Sequence, residues 1–174
     1  DVAGVSESTY HTCGWGDLPC QTLNDAIQVE SHATSIEIAS NNVLIDNTAS
    51  VSHDLLLTGT SSVLKLTSVI QHPSTELISV SASSSNVTFT VKTLTVFVDS
   101  NSGAVSVPVF KLSSTIDSDT PTNSKYATLS LESVTFQGTE GGTSANTNPI
   151  TSTIIDSQSG KLEFKKVTFK FLTL

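Results

Sequence analysis

The chain has 174 residues, a formal net charge of −8 at pH 7, and eight lysines but no arginine. An acidic chain without arginine is a poor partner for phosphate backbones, which argues against nucleic-acid binding. No apolar run approaches the ~18 residues that a membrane span requires, so we predict no membrane span in this chain.

The first predicted element in chain order is a short helix that begins near Thr22. Thr22 has the character of an N-cap residue, and Asp25 follows at the capping-box position. Apolar residues then recur at the spacing of one helical face, namely Leu23, Ala26 and Ile27. The pattern predicts an amphipathic helix of about two to three turns.

Both cysteines of the chain, Cys13 and Cys20, come just before this helix. Their spacing suits a small disulfide loop rather than a CxxC metal or redox site. Such a loop would stabilise the fold by roughly 2.5 kcal/mol on the chain-entropy model. Trp15 lies inside the loop and is predicted to help brace the helix. Two free, buried thiols are the alternative.

After residue 35 the apolar period changes to two, in short bursts separated by stretches rich in Gly, Ser, Asn and Asp. The bursts group in threes, and successive groups resemble one another. Each burst is predicted to be a separate strand, for example Val43–Asp46, Val87–Val91 and Leu94–Val98. LSLESVTF (129–136) returns as LEFKKVTF (162–169), and FTVKTLTV (89–96) fits the same template. Internal repetition of this size is typical of a solenoid.

We therefore predict one domain over residues 1–174, with a cap at 1–34 and a parallel β-helix of about five turns at 35–174. The capping helix would cover strand edges that otherwise invite another chain to add. An antiparallel β-sandwich is the alternative fold. It is disfavoured because hairpin dipeptides such as Asn-Gly are missing and because the repeat is a triplet of strands.

The segment CGWGDLPCQTLNDAI resembles the entrance to a pectin-lyase-like right-handed β-helix. That superfamily commonly forms its N-terminal cap with a PC-x-TL-x-x-AI segment, which this chain matches at Pro19, Cys20, Thr22, Leu23, Ala26 and Ile27. The resemblance implies a right-handed parallel β-helix over nearly the whole chain.

The later L-x-L-x-x-V-T-F units are similar to repeats of chlamydial-type polymorphic outer-membrane proteins and of related protist surface proteins. Those repeats carry F-x-x-N and G-G-A-[ILV] tetrapeptides. Here Gly141-Gly142-Thr143 departs from the second pattern, and no Asn lies three residues after these phenylalanines.

The resemblance to pectin-lyase-like proteins also raises the question of an enzyme. Those enzymes combine aspartates with an arginine or lysine, or use a Gly-His-Gly, whereas this chain has neither arginine nor that tripeptide. Asp54 and Glu132 fall two predicted turns apart, which argues against paired-carboxylate chemistry. The histidines match no metal spacing; they are His11, His32, His53 and His72. We predict that the chain is not an enzyme.

Two further motifs concern ions and glycans. Asp117, Asp119 and Asn123 alternate as in a calcium loop, but the required Gly is absent and a plain turn-rich loop is the alternative. We predict no other cofactor. Asn86-Val87-Thr88 is an N-glycosylation sequon, which together with the cysteine loop predicts an extracellular or cell-surface location.

These observations predict a non-enzymatic extracellular β-helix segment of a cell-surface adhesive or structural protein. Its partner would be a protein or glycan on a cell or matrix surface. One alternative is the N-terminal part of a polysaccharide lyase or hydrolase whose catalytic residues lie outside this chain. Another is a filament subunit that self-associates end to end through Val167–Leu174.

The C-terminal strands are apolar and lack a polar cap, so we expect that another molecule covers this end or that further turns continue it. Four lysines crowd the same region, namely Lys161, Lys165, Lys166 and Lys170. Lysines on edge strands commonly keep a chain soluble, and a patch for an anionic ligand is the alternative.

Overall fold

A computed structural model describes residues 20, 22–29, 33–38, 48–66, 76–98, 108–137 and 153–170. This part of the chain is mostly β, with a single α-helix. The elements are α1 (Leu23–Val29), β1 (Ser35–Ile38), β2 (Ala49–Val51), β3 (Leu55–Leu66), β4 (Ile78–Ala82), β5 (Val87–Val98), β6 (Phe110–Ser114), β7 (Ala127–Gln137), β8 (Ile155–Ser157), β9 (Lys161–Lys165) and β10 (Thr168–Lys170), with a 3-10 turn at Pro121–Asn123.

The strands form two sheets. The first has the order β1-β3-β5-β7-β10, with β9 also pairing with β7, and the second has the order β2-β4-β6-β8. Every pairing between these named strands is parallel. The antiparallel sandwich, which was the alternative prediction, is therefore wrong for the described strands. The predicted strand at Val43–Asp46 lies outside the described residues.

The register brings equivalent positions of the repeated sequence template next to one another. Leu55 pairs with Phe89, Phe89 with Leu129, and Leu129 with Leu162, at intervals of 34, 40 and 33 residues. These sequence intervals differ, but the pairing keeps one register along β5, β7 and β9. The apolar alternation within each strand thus fixes the register, because a slip of one residue would turn the buried side chains outward.

The long strands bend at residues with left-handed backbone conformation. Thr93, Ser133 and Lys166 have φ values of 53°, 56° and 57°. The paired residues on either side place Thr93 beside Ser133 and Ser133 beside Lys166. Two strands that the sequence predicted separately, at 87–91 and 94–98, are in consequence one bent strand, β5. The bend shifts the alternation so that Val91 and Leu94 are both buried.

One apolar core packs between the sheets. It includes, each at most 2% exposed, Val87, Phe89, Val91, Leu94 and Val96 of β5, Ala127, Leu129, Leu131, Val134 and Phe136 of β7, and Ile78, Val80, Phe110 and Leu112 of the second sheet. Phe110 links the sheets, since its ring centroid lies 6.3 Å from those of both Phe89 and Phe136. Such tilted and edge-on contacts are favourable for aromatic rings.

Helix α1 packs against this core at the end formed by the first strands of the chain. The Thr22 hydroxyl accepts a hydrogen bond of 3.0 Å from the Asp25 backbone N–H, as an N-cap residue does. Leu23 and Ile27 are 2% and 5% exposed and belong to the core, whereas Ala26 is half-buried. The amphipathic spacing in the sequence therefore leads to a short helix with one buried edge, in contact with β2.

Replacing Phe136 by alanine should lower the free energy of unfolding by about 3–5 kcal/mol, because the side chain is fully buried and its loss leaves a cavity. Urea denaturation measures the change. Phe169→Ala is the matched control, since Phe169 pairs with Phe136 but is 58% exposed, and it should cost about 1 kcal/mol or less. Equal losses in the two variants would contradict the assigned core.

Replacing Thr93 by asparagine should raise the free energy of unfolding by about 0.5–1 kcal/mol, because asparagine tolerates the left-handed conformation better than a β-branched residue. Thr95→Asn is the control, since Thr95 lies in the same strand with Val96 buried beside it, and there asparagine should destabilise. Destabilisation by Thr93→Asn would argue against the bend at this position.

Candidate functional site

The last two described strands carry apolar side chains at inward positions that remain exposed. Leu162 and Phe164 pair with Leu129 and Leu131 of β7, and Phe169 pairs with Phe136. The β7 members are at most 1% exposed, but Leu162, Phe164 and Phe169 are 43%, 57% and 58% exposed. We call these three residues the terminal apolar layer. It continues the pattern of the core without its burial.

One member of the terminal apolar layer, Phe169, packs on a buried residue of the core. The Phe169 ring is stacked on that of Phe136, with centroids 5.3 Å apart and planes inclined by 13°. Val167 is half-buried and packs against the core. The exposed Phe169 ring is thus positioned by a buried ring of the core. Contiguous exposed apolar patches of this kind commonly mark interaction sites.

A column of alternating charges runs beside this layer. Lys92, Glu132 and Lys165 occupy one register position on β5, β7 and β9. Glu132 Oε2 lies 3.0 Å from Lys92 Nζ, and Glu132 Oε1 lies 2.6 Å from Lys165 Nζ. We call this set the charge column. Hydrogen bonds from Lys165 and then Lys92 lower the pKa of Glu132 to about 2.

The charge column was not predicted from the sequence, although the repeated template carries a signal for it. In the aligned templates FTVKTLTV, LSLESVTF and LEFKKVTF, the fourth letter is K, E and K. Parallel in-register pairing places these three residues side by side, so opposite charges at one template position indicate a cross-strand pair.

The four C-terminal lysines differ in their surroundings. Lys165 pairs with Glu132, and Lys161 Nζ lies 4.3 Å from the centroid of the Tyr126 ring. Lys166 occupies the last left-handed position of the bend. Residues 161–170 contain these four lysines and a single acid, Glu163, so this segment is positive in a chain of net charge −8.

The predicted calcium loop is organised by one carboxylate. Asp117 Oδ1 accepts hydrogen bonds from the backbone N–H groups of Asp119 and Thr120, at 3.0 and 2.9 Å, and Oδ2 lies 3.5 Å from Asn123 Nδ2. The bond from Thr120 is the largest cause of the lowered pKa of Asp117. The carboxylate thereby stabilises the turn, which is what the alternative of a plain turn-rich loop predicts. Calcium binding at Asp117, Asp119 and Asn123 stays a prediction.

The residues just before β3 and β5 accept hydrogen bonds from backbone N–H groups near the start of the next strand of the sheet. The Thr88 N–H donates to Asp54 Oδ1 at 2.7 Å, and the Tyr126 N–H donates to Asn86 Oδ1 at 2.9 Å. Asp54 thus has a structural partner. Asn86 is exposed, and its bond to Tyr126 uses the carbonyl oxygen rather than the nitrogen to which a glycan attaches. Glycosylation at Asn86 stays a prediction.

Few of the other predicted site residues are described. Cys20 is half-buried and disulfide-bonded, whereas Cys13 and Trp15 lie outside the described residues. His53 Nε2 lies 2.9 Å from the carbonyl oxygen of Ala33, so the ring contacts the backbone of an earlier segment. His11, His32 and His72 lie outside the described part. Within the described ranges, no three His, Cys, Asp or Glu side chains are grouped to hold a metal ion.

Among the described helical residues, none form a helix long and apolar enough to cross a bilayer. Comparison of the chain with protein-family models, curated proteins and solved structures found no match.

Replacing Glu132 by glutamine should make the free energy of unfolding depend less on pH in acid. Because folding lowers the pKa of Glu132 from 4.5 to about 2, its contribution is complete above about pH 4.5 and is lost as the pH falls towards 2. The free energy of unfolding should therefore fall less steeply with acid in Glu132→Gln than in the parent chain. Urea denaturation at several pH values measures this slope.

The same experiment has two internal checks. Lys165→Met should weaken the dependence on pH in the same direction, since it removes the strongest partner of Glu132. Salt at about 1 M should reduce the difference, because exposed ion pairs are screened. An unchanged slope in both variants would contradict the charge column.

Proposed function

We propose that the chain is a segment of a right-handed parallel β-helix that serves a non-enzymatic role at the cell surface. The order of pairing supports the coil. Strands β3, β5 and β7 alternate along the chain with β4, β6 and β8 of the other sheet, and each of these except β8 pairs with the next member of its own sheet. One coil would then comprise a strand of the second sheet and both arms of a bent strand.

The stacked bends support the same coil. Thr93, Ser133 and Lys166 would form one corner of successive coils. A second corner would lie at Gly160, between β8 and β9, where an added Cβ would be 2.6 Å from Leu112 Cδ2. The right hand follows from the strong preference of crossover connections between parallel strands.

The functional part of the proposal rests on the polar side chains at outward positions of the first sheet. Thr95, Thr135 and Thr168 pair in one column, and Thr90 pairs with Ser130 in another. We call these the hydroxyl columns. Small hydroxyl side chains at a regular spacing offer hydrogen bonds without fixed charge, and this single observation is what best supports recognition of a glycan or protein on a cell or matrix surface.

The acidic groups support a non-enzymatic role. Glu132 is held between two lysines, Asp54 accepts from the Thr88 N–H, and Asp117 holds its own loop. Each of these carboxylates therefore has a structural task. An extracellular location accords with the disulfide-bonded state of Cys20, since disulfides persist in oxidising compartments.

The proposal is tested by measuring binding of the purified chain to arrayed glycans and matrix proteins, alongside cleavage of the same polysaccharides. We expect saturable binding without cleavage. Thr95→Lys with Thr135→Lys, on the hydroxyl columns, should weaken binding by about tenfold. Ser50→Lys with Ser79→Lys is the matched control, since these paired residues are outward positions of the second sheet.

Cleavage of a polysaccharide would contradict the non-enzymatic role and favour the alternative of a carbohydrate-active enzyme. Equal binding by the threonine and serine variants would contradict the assignment of the binding face to the hydroxyl columns.

A further inference from the structure

We propose that Thr120 and Thr122, in the loop between β6 and β7, are acceptor sites for O-linked sugars. The group transferred to them would be a neutral monosaccharide from a sugar nucleotide. This inference goes beyond the proposed function, in which the hydroxyl columns of the first sheet contact a partner. It rests on the extracellular part of that proposal, because exported chains are the ones that sugar transferases of this kind encounter.

The loop between β6 and β7 is much longer than its counterparts. It comprises residues 115–126, whereas the other connections from the second sheet to the first are residues 52–54, 83–86 and 158–160. We call residues 115–126 the corner loop. Long loops on a rigid scaffold commonly carry functional residues, so this difference in length marks the corner loop for attention.

Backbone hydrogen bonds hold the two ends of the corner loop together. The Thr115 N–H donates to the Lys125 carbonyl oxygen at 2.9 Å, and the Lys125 N–H donates to the Thr115 carbonyl oxygen at 2.8 Å. Near the middle of the loop, Thr120 has an extended backbone, with φ −135° and ψ 81°, and Pro121 begins the 3-10 turn. An extended backbone is what a residue before proline favours. The acceptor residues therefore lie on a loop of defined shape.

Two hydroxyl groups of the corner loop have structural tasks. Thr115 Oγ1 donates to the Ala82 carbonyl oxygen at 2.9 Å. Ser124 is only 6% exposed, and its Oγ accepts from the Asp117 N–H at 3.0 Å. A sugar on Thr115 would replace the hydroxyl hydrogen and so remove that bond, and a transferase cannot reach a buried Ser124. Both residues are expected to stay unmodified.

The remaining hydroxyl groups of the loop are available. Ser118, Thr120 and Thr122 are exposed, and their hydroxyl groups make no hydrogen bond within the described part of the chain. Thr120 and Thr122 also flank Pro121, and Ser/Thr-rich segments with proline are typical of O-glycosylated regions. Proline has no N–H to offer to a strand ladder, so it favours a loop backbone that an enzyme can approach.

The charges of the loop favour a neutral sugar over a phosphate. Residues 116–124 contain two acids, Asp117 and Asp119, and no lysine. The Thr120 N–H lies 2.9 Å from Asp117 Oδ1, so the acceptor residue is next to a carboxylate. A phosphate on Thr120 would add about −1.5 to −2 charge at pH 7 beside these acids and would be repelled. A monosaccharide without charge avoids this repulsion.

The transfer is a displacement at the anomeric carbon of the sugar. A bond forms between threonine Oγ1 and this carbon, while the bond from the carbon to the nucleoside diphosphate breaks. The diphosphate leaves with the electron pair of that bond, and the hydroxyl proton passes to a base of the transferase. The sugar nucleotide is the only co-reactant, and nothing is oxidised or reduced.

The first test uses the folded 174-residue chain prepared without glycans. The chain is incubated with an N-acetylgalactosaminyl transferase and its sugar nucleotide, and the modified residues are located by mass spectrometry with electron-transfer fragmentation. We expect the added sugar at Thr120, at Thr122 or at both, and none at Thr115 or Ser124. This reaction takes place in the tube, so its outcome does not depend on where the chain is located in a cell.

Paired variants test the assignment. Thr120→Val with Thr122→Val should abolish the addition. Thr88→Val with Thr128→Val is the matched control, since these paired threonines lie on β5 and β7 and valine suits a strand, and it should retain the full addition. Circular dichroism and thermal unfolding verify that both variants are folded.

The second test locates sugars on the chain secreted by a eukaryotic cell line. Enzymatic removal of N-linked glycans first separates any contribution of Asn86. The same threonines should carry sugar. Thr120→Val with Thr122→Val should bind arrayed glycans and matrix proteins as the parent chain does, because the hydroxyl columns are unchanged. A failure of the acceptor sites is therefore distinguishable from a failure of the proposed binding function.

Three results would overturn the proposal. They are an absence of added sugar in both tests, sugar confined to Thr115, Ser118 or Ser124, and a phosphate rather than a sugar at Thr120 of the secreted chain.

Discussion

The architecture depends on one constraint, the in-register parallel pairing of strands whose inward residues are apolar. Leu129 lies beside Phe89 on one side and beside Leu162 on the other. A slip of one residue would expose these side chains and bury Thr128 or Ser130. Because β3, β5 and β7 each have neighbours on both sides, the burial of one apolar position supports the register of the whole sheet.

The same constraint arranges the polar side chains. Residues that share a template position become neighbours, so that like residues form columns of hydroxyl groups and unlike charges form the column around Glu132. It also accounts for the terminal apolar layer. Among the described strands, β9 and β10 pair only with β7, yet they carry the inward side chains of the template, and Leu162, Phe164 and Phe169 are exposed.

Some features were predictable from the sequence because each rests on local spacing. The helix at Leu23–Val29 follows from its N-cap and apolar stripe, and the mostly β content follows from the alternation. The parallel pairing follows from the recurrence of one template, since equivalent residues then lie side by side. These signals depend on neighbouring residues or on repetition, both of which can be read without coordinates.

Other features lacked such a signal. The bends fall at threonine, serine and lysine rather than glycine or asparagine, so residue type did not reveal the left-handed positions. The sequence consequently predicted two strands where β5 is one. At Asp117 the alternation of acidic and amide residues suggested an ion site, and the backbone N–H groups that donate to this carboxylate could not be predicted from that spacing. The partners of a polar group depend on loop geometry, which spacing does not specify.

The most direct test of parallel, in-register pairing is the distance between spin labels on β5 and β7. Labels at Thr88 with Thr128, and at Lys92 with Glu132, occupy paired positions, whereas Thr88 with Glu132 does not. Parallel pairing predicts strong dipolar broadening for both paired sets, whose backbones lie about 4.8 Å apart, and much weaker broadening for the crossed set at about 14 Å. Stronger broadening in the crossed set than in the paired sets would contradict the account.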